Sequence, residues 1–262
     1  MKRGYLVALT IAVAGIGFGE TAYAVDGVIL SDQNKALAGA VTPGDAPGFP
    51  VTLTQSGSYR LASNLVVPDA NTSAIVIGKG AIGVSIDLNG FSIIGPGTVG
   101  TGIGISSAPD DPSSPFGTFS NVGASVRNGT IFGMGSSGIS LLAAGSAIEN
   151  VTITKNGSFG IVANLCTLTR NRIMKNGAGG INASSCVVTQ NMISQNTGAG
   201  IQANDSLIVD NALIVNAGVG LAAANDGFGR NVFSSNNGGF ANPQFSGRTS
   251  LAPNTCDGAI CP

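Results

Sequence analysis

The chain has 262 residues, 40 of them Gly, with 43% hydrophobic and only 10% charged residues. Glycine is therefore at about twice its usual share and charge well below it, which excludes a charged coiled coil and a disordered chain. Twelve basic against thirteen acidic residues give a net charge of −1, so the basic footprint of a nucleic-acid-binding protein is missing and no nucleic-acid partner is expected. The chain has no His, which removes His-dependent triads, His zinc sites and His general bases.

In chain order, the first segment reads as a signal peptide over residues 1–24. Lys2 and Arg3 precede an apolar run from Leu6 to Phe18, and Ala22-Tyr23-Ala24 supplies a small-x-small cleavage pattern. An uncleaved anchor is the alternative, but the run is short of the roughly 20 residues that a span needs. No later stretch reaches membrane length, so an exported chain without a membrane span after signal removal is expected, periplasmic or extracellular. Residues 25–50 read as an N-terminal cap segment, with Ser31 capping a short helix over Asp32 to Ala38 that Gly39 closes.

Residues 51–245 carry the body of the fold. Gly57 to Leu61 and Ala74 to Ile77 read as initial strands. Leu88, Phe91 and Ile93 lie 38 residues before Val126, Gly129 and Ile131, which lie 22 before Ile148, Val151 and Ile153. The surplus is a long loop near 106–121, where Pro109, Asp110, Asp111, Pro112 and Pro115 cluster; it is either functional or an ornament.

From there the frame closes to a 20-residue period. Ile148, Leu168, Val188, Ile208 and Phe228 recur in it, as do Ile153, Ile173, Ile193, Leu213 and Phe233. Gly160, Gly180, Gly200 and Gly220 keep the same spacing, each followed by an aliphatic residue. So do two amide columns: Asn171, Asn191, Asn211 and Asn231, and Asn156, Asn176, Asn196, Asn216 and Asn236. Apolar residues two apart, broken by Asn and Gly, suit three short strands per unit and leave no helical stripe. Helical repeats need periods of about 33 to 47 residues, and hairpins give no reason for a fixed spacing. A β-solenoid gives one, because each column stacks on itself at ~4.8 Å per coil.

Units such as LCTLTRNRIMKNGAGGINAS at 165–184 resemble right-handed parallel β-helix repeats of the pectate-lyase-like superfamily. The resemblance implies an all-β fold, a right-handed parallel β-helix with coils of about 20 residues behind a short N-terminal capping helix. It also implies the handedness, an interior aliphatic stack and a structural Asn ladder made of the two amide columns.

At the C-terminal end aliphatic columns turn aromatic, Ile208 giving way to Phe228, Leu213 to Phe233 and Leu221 to Phe240, with Phe245 beyond. Closing the core is the simpler reading of these rings, a ligand platform the other. Residues 246–262 read as a tail. In it Cys256 and Cys261 flank four residues and are expected to form a disulfide, as an exported chain permits. Cys166 and Cys186 share one column in consecutive coils. Their parallel Cβ vectors favour two free, buried thiols over a bond that strains the sheet.

Candidate chemistry is sparse. Formal glycosylation sequons at Asn71, Asn128, Asn150, Asn156 and Asn182 arise from an Asn-, Ser- and Thr-rich repeat, and the GxGxxG at 95–100 is not followed by a helix-forming sequence. Lys155, Arg170, Arg172 and Lys175 cluster by spacing into a patch that could attract an anionic glycan, against the plainer reading of solvated surface charge. Glu149 is expected to pair with Arg127, and Asp210 with Arg230. Pectate-lyase-like enzymes use clustered carboxylates with calcium, or paired Asp residues. No such set stands out, so no catalytic residue, metal or cofactor is expected. The reading is an exported, non-catalytic β-helix acting through its surface on a polysaccharide or a cell-envelope component. The alternative is a polysaccharide lyase or glycoside hydrolase of the same superfamily, supported by fold analogy alone.

Overall fold

A computed structural model describes residues 27–39, 41–109, 122–239, 242–247 and 249–261. The segment read as a signal peptide, the Asp110 to Pro115 cluster and Phe240 lie outside the described residues. The chain winds through about nine turns of a parallel β-solenoid with almost no helix, and its coils average about 22 residues. Each full coil contributes one strand to each of three parallel sheets. Sheet I is nine-stranded and runs from Val51–Leu53 to Phe245–Ser246. Sheets II and III are joined, because Ser125–Phe132 and Ala147–Thr154 pass through the corner between them without a break.

The pairing register explains the period. Leu168 pairs with Val188 and Ile148, Ile173 with Ile193, and Ile181 with Ile201, each partner one coil away. Every such aliphatic residue is fully buried, so a column of identical shape repeats along the axis and fills the interior. Parallel pairing also runs wider than the repeat suggests. Val28–Ser31 pairs with Gly57–Leu61, and Thr255–Cys256 still pairs with Val232–Ser234.

Both ends of the coil stack are closed. Helix α1, Gln33–Ala38, is capped by Asp32, whose carboxylate accepts from Lys35 N–H at 2.9 Å, and ends at Gly39 with φ 67°. The cap is Asp32 and not Ser31, which belongs to the first strand and pairs with Leu61. The segment around this helix also supplies a side chain to the outer strand of each sheet. Thr52 N–H donates to Asp45 and its carbonyl accepts from the Thr42 hydroxyl; Val66 exchanges two bonds with the Gln33 amide; Lys35 Nζ donates to Leu30 O. Exposed strand edges invite edge-to-edge association, and these contacts blunt them. At the far end Phe228 and Phe233 are buried and pack against Phe245, at 5.2 and 5.4 Å between ring centroids. Phe245 pairs in register with Leu221, the position expected of Phe240. The antiparallel strand Ala259–Ile260 then covers Thr255–Cys256.

Candidate functional site

The corners position everything on the surface. Each regular coil turns at three residues in the left-handed region: Leu165, Arg170 and Lys175 in one coil, Ser185, Gln190 and Gln195 in the next. The residue after each turns its side chain inward. Asn171 and Asn176 are among these, and their columns form two continuous amide stacks. Asn156, Asn176, Asn196, Asn216 and Asn236 are linked side chain to side chain at 2.9–3.0 Å, and the run ends on Gln244 Oε1 at 3.2 Å. Asn171, Asn191, Asn211 and Asn231 are linked at 3.0–3.1 Å and end on Asn254 Oδ1 at 3.2 Å. Each Oδ1 also accepts the backbone N–H of the residue above it in the column, as Asn191 does for Asn171, Asn196 for Asn176 and, at the head of each stack, Asn156 for Met134 and Asn171 for Val151. The buried amides are thereby satisfied and the corners clamped. Gln244 and Asn254 escaped the sequence reading because they stand eight and 23 residues after their partners, off the 20-residue period.

The third corner carries Ser146, Cys166, Cys186, Ser206 and Asp226. Cys166 and Cys186 are bonded to one another, and Cys256 to Cys261. The expectation of two free inner thiols is therefore corrected. Neighbouring coils hold the two Cα atoms 4.5 Å apart, inside the range that a disulfide spans, and both side chains face the same buried corner. Two disulfides are consistent with export to an oxidising compartment, and no helix among the described residues is long and apolar enough to cross a membrane. Asp226 closes the column. It accepts from Ser206 N–H and Ala224 N–H, both at 2.6 Å. Burial pushes its carboxyl up, with a further push from Asp205, and the two N–H groups offset only part of this.

Of the four candidate basic residues, one is ion-paired. Arg170 bonds Glu149 at 3.2 Å, so Glu149 pairs with Arg170 and not with the expected Arg127. Arg127 is drawn the other way: Asp87 is held by Asn89 N–H and the Asn128 amide and takes both Arg60, at 3.4 Å, and Arg127, at 3.5 Å. Asp210 and Arg230 form a two-point pair at 2.7 and 2.8 Å. Among the described residues Lys155, Arg172 and Lys175 have no ion-pair partner.

These three cations border the outer face of sheet III. Its strands Arg172–Met174, Met192–Ser194 and Ala212–Ile214 stack in register, so Met174, Ser194 and Ile214 form one outward row and Arg172, Met192 and Ala212 another. Lys155, Lys175, Gln195 and Val215 follow along the adjoining corner. Ser194 is much shorter than Met174 above it and Ile214 below. The shortfall leaves a depression of about 260 Å³ lined by Arg172, Met174, Met192, Ser194, Gln195, Ile214 and Val215. Ser194 is 6% exposed at its floor. Sequence reading found the cations but not the depression, whose trace is a Ser set between the longer Met174 and Ile214 of its column.

A second cleft, of about 620 Å³, lies at the C-terminal end between Asn242 to Phe245 and the stapled hairpin, beside Cys256, Asp257 and Ile260. Among the described residues no group of three metal-ligating side chains occurs.

Three stacked parallel sheets turning at clamped corners define a β-solenoid protein. Residues 117–255 match the family described as the right handed beta helix region, more than half of the chain, and the chain belongs to that family. No curated protein matches it. Among solved structures it is similar to the A-module of the mannuronan C-5 epimerase AlgE4 from Azotobacter vinelandii, at 13% identity and TM-score 0.48, covering 84% of this chain and 78% of that one. It is also similar to the D317A mutant of the periplasmic alginate epimerase AlgG, at 14% and 0.49, covering 87% and 71%. A third is the enzymatically active domain of bacteriophage CBA120 tailspike protein 2, at 12% and 0.40, covering 78% and 38%.

Proposed function

We propose that this is an exported, non-catalytic β-helix that acts in the periplasm or outside the cell by binding glycan or other cell-envelope material on its surface. The observation that carries the reading is the outer face of sheet III, where a depression lined by Arg172 lies beside Lys175, with Lys155 one coil beyond; among the described residues these three have no ion-pair partner, while the guanidiniums of Arg60, Arg127, Arg170 and Arg230 are engaged by carboxylates. A rigid, stacked face of this kind suits an extended chain, because every coil repeats the same geometry one strand spacing further along. The test is to incubate the exported protein with polyuronates in the presence of calcium, measuring unsaturated and reducing ends, and to print a glycan array with the same preparation. Retention on glycans without release of new ends is expected. Turnover of a polyuronate would replace this reading with the enzymatic one, and retention on nothing would remove it.

A further inference from the structure

The depression on sheet III has an asymmetric chemistry. Its floor and walls are Ser194 flanked by Met174, Met192, Ile214 and Val215, with the Gln195 amide at the corner. The cations all stand on the side nearer the N-terminal end. Arg172 is the register partner of Met192, one coil up. Lys175 precedes Gln195 in the corner column by one coil and Lys155 by two; Lys175 N–H bonds Ser194 O across that step. Ser194 is more than nine-tenths buried and lines the cavity, and its hydroxyl has no hydrogen-bond partner among the described residues. The hydroxyl itself opens to the cavity, where it can bond a ligand group or water.

A ligand suited to this site has a compact ring with an apolar face to lie against the two thioethers and Ile214. It carries hydroxyls for Ser194 and Gln195, and an anionic group displaced toward Arg172 and Lys175. A sugar ring bearing a carboxylate or sulfate has all three. A guanidinium binds either anion in bidentate fashion, and an ammonium binds them as a point charge. We infer that the Ser194 depression is a subsite for one acidic sugar residue of a glycan chain, with Arg172 and Lys175 holding its anionic group and Lys155 meeting the next residue of the chain. The inference rests on the surface-binding reading above and names the ligand class and the place. Arg170, tied to Glu149, takes no part.

The test uses the full exported protein and four probes: polygalacturonate, dextran sulfate, neutral dextran, and vesicles of phosphatidylglycerol. Three variants accompany it: K155Q/R172Q/K175Q, S194M to fill the depression, and R170Q as the surface control. Thermal midpoints confirm that each is folded. Binding to one or both acidic polymers is expected, with neutral dextran at least tenfold weaker. The triple variant and S194M should each weaken acidic-polymer binding by tenfold or more, and R170Q by less than twofold. The stronger of the two acidic polymers identifies the anion as carboxylate or sulfate. Acidic-polymer binding that survives S194M overturns the depression as the subsite, and binding that survives the triple variant overturns the cation assignment. Equal binding of dextran overturns the acidic class but leaves a surface glycan binder. Binding to vesicles alone assigns the face to a lipid surface and overturns the inference. Binding to none of the four on this face, with retention elsewhere on a glycan array, overturns the inference and spares the broader reading.

Discussion

The coils before Phe132 and the coils from Ala147 to Ser235 reach the same cross-section with different residues at the corners. In the later coils the left-handed corners backed by an amide are occupied by Lys155, Arg170, Lys175, Gln195 and even β-branched Val215. In the earlier coils the matching corners are Asn89, Asn128 and Gly133, while the third corner, Gly83 and Gly123 there, passes to Leu165 and Ser185 with no amide behind it. The left-handed region costs most side chains about 1–2 kcal/mol, and only Gly, with Asn and Asp to a lesser degree, visits it easily. The two regions differ in what lies behind the corner. Where the amide stack runs, each Asn Oδ1 accepts the N–H that follows the corner above, and the corner backbone is held by a buried hydrogen bond. Before Asn156 and Asn171 the stacks give way to Met134 and Val151, and farther up Leu88 fills the space beside Gly129. A clamped corner accepts any residue and can therefore present charge on the surface. The unclamped Asn89 and Asn128 corners carry residues that turn by themselves.

That contrast can be broken from either side. The largest effect is expected from Leu88→Ala in the earlier coils. Leu88 is fully buried and occupies the corner interior that an amide fills later, so truncation should lower stability by about 2–5 kcal/mol in a denaturant titration. A loss well under 1 kcal/mol would show that this corner is not held by packing.

In the later coils Asn191→Ala is expected to cost about 1–3 kcal/mol. It removes the acceptor for both the Asn171 N–H and the Asn171 amide, and the donor to Leu168 O. The same titration checks it, and an unchanged midpoint would mean that water replaces the missing amide and the stack clamps nothing.

Much of this was legible in the sequence because a solenoid converts a stacking distance into a spacing. The aliphatic columns gave the strands and their register, and the period set the amide columns residue by residue. What escaped is aperiodic or depends on competition between partners. Gln33, Lys35, Thr42 and Asp45 cap three strand edges from a segment without repeats. Glu149 sits in register beside Arg127 but bonds Arg170, since Arg127 has the buried Asp87 on its other side. The inner cysteines shared a visible column, yet whether they bond depends on a coil spacing of 4.5 Å at that corner, which no spacing in the sequence encodes. The depression at Ser194 needs knowledge of which neighbours are longer.

A smaller effect, opposite in sign, separates two positions of one corner column. Val215 holds φ 56°, so Val215→Gly should relieve left-handed strain and stabilise by about 1 kcal/mol or less, since the added freedom of the unfolded chain offsets part of the relief. Gly133 stands in the corresponding place of an earlier coil at φ 71°, where an added Cβ would meet Gly95 O at 2.5 Å. Gly133→Ala should destabilise. Melting midpoints shifting in the same direction for both would dissolve the distinction between a corner with room for a side chain and one closed by neighbouring backbone.

The smallest effect concerns charge in the earlier coils. Desolvation pushes the Asp87 carboxyl up, but Asn89 N–H, the Asn128 amide, Arg127 and Arg60 together outweigh it and hold the group below its ordinary value. A carboxyl lowered on folding contributes stability that is present above the unfolded value of about 3.9 and is lost as pH falls through the folded one. Asp226, raised by burial in the later coils, has the reverse dependence: its contribution is present below the unfolded value and is lost as pH rises through the folded one. Asp87→Asn keeps the shape but not the charge. Its stability should lie below that of the parent above about pH 4 and meet the parent curve under more acid conditions, where Asp87 is itself neutral. Curves that stay parallel down to the lowest pH would show that the Arg60–Asp87–Arg127 cluster owes its place to hydrogen bonding and packing, with its charge adding nothing to the fold.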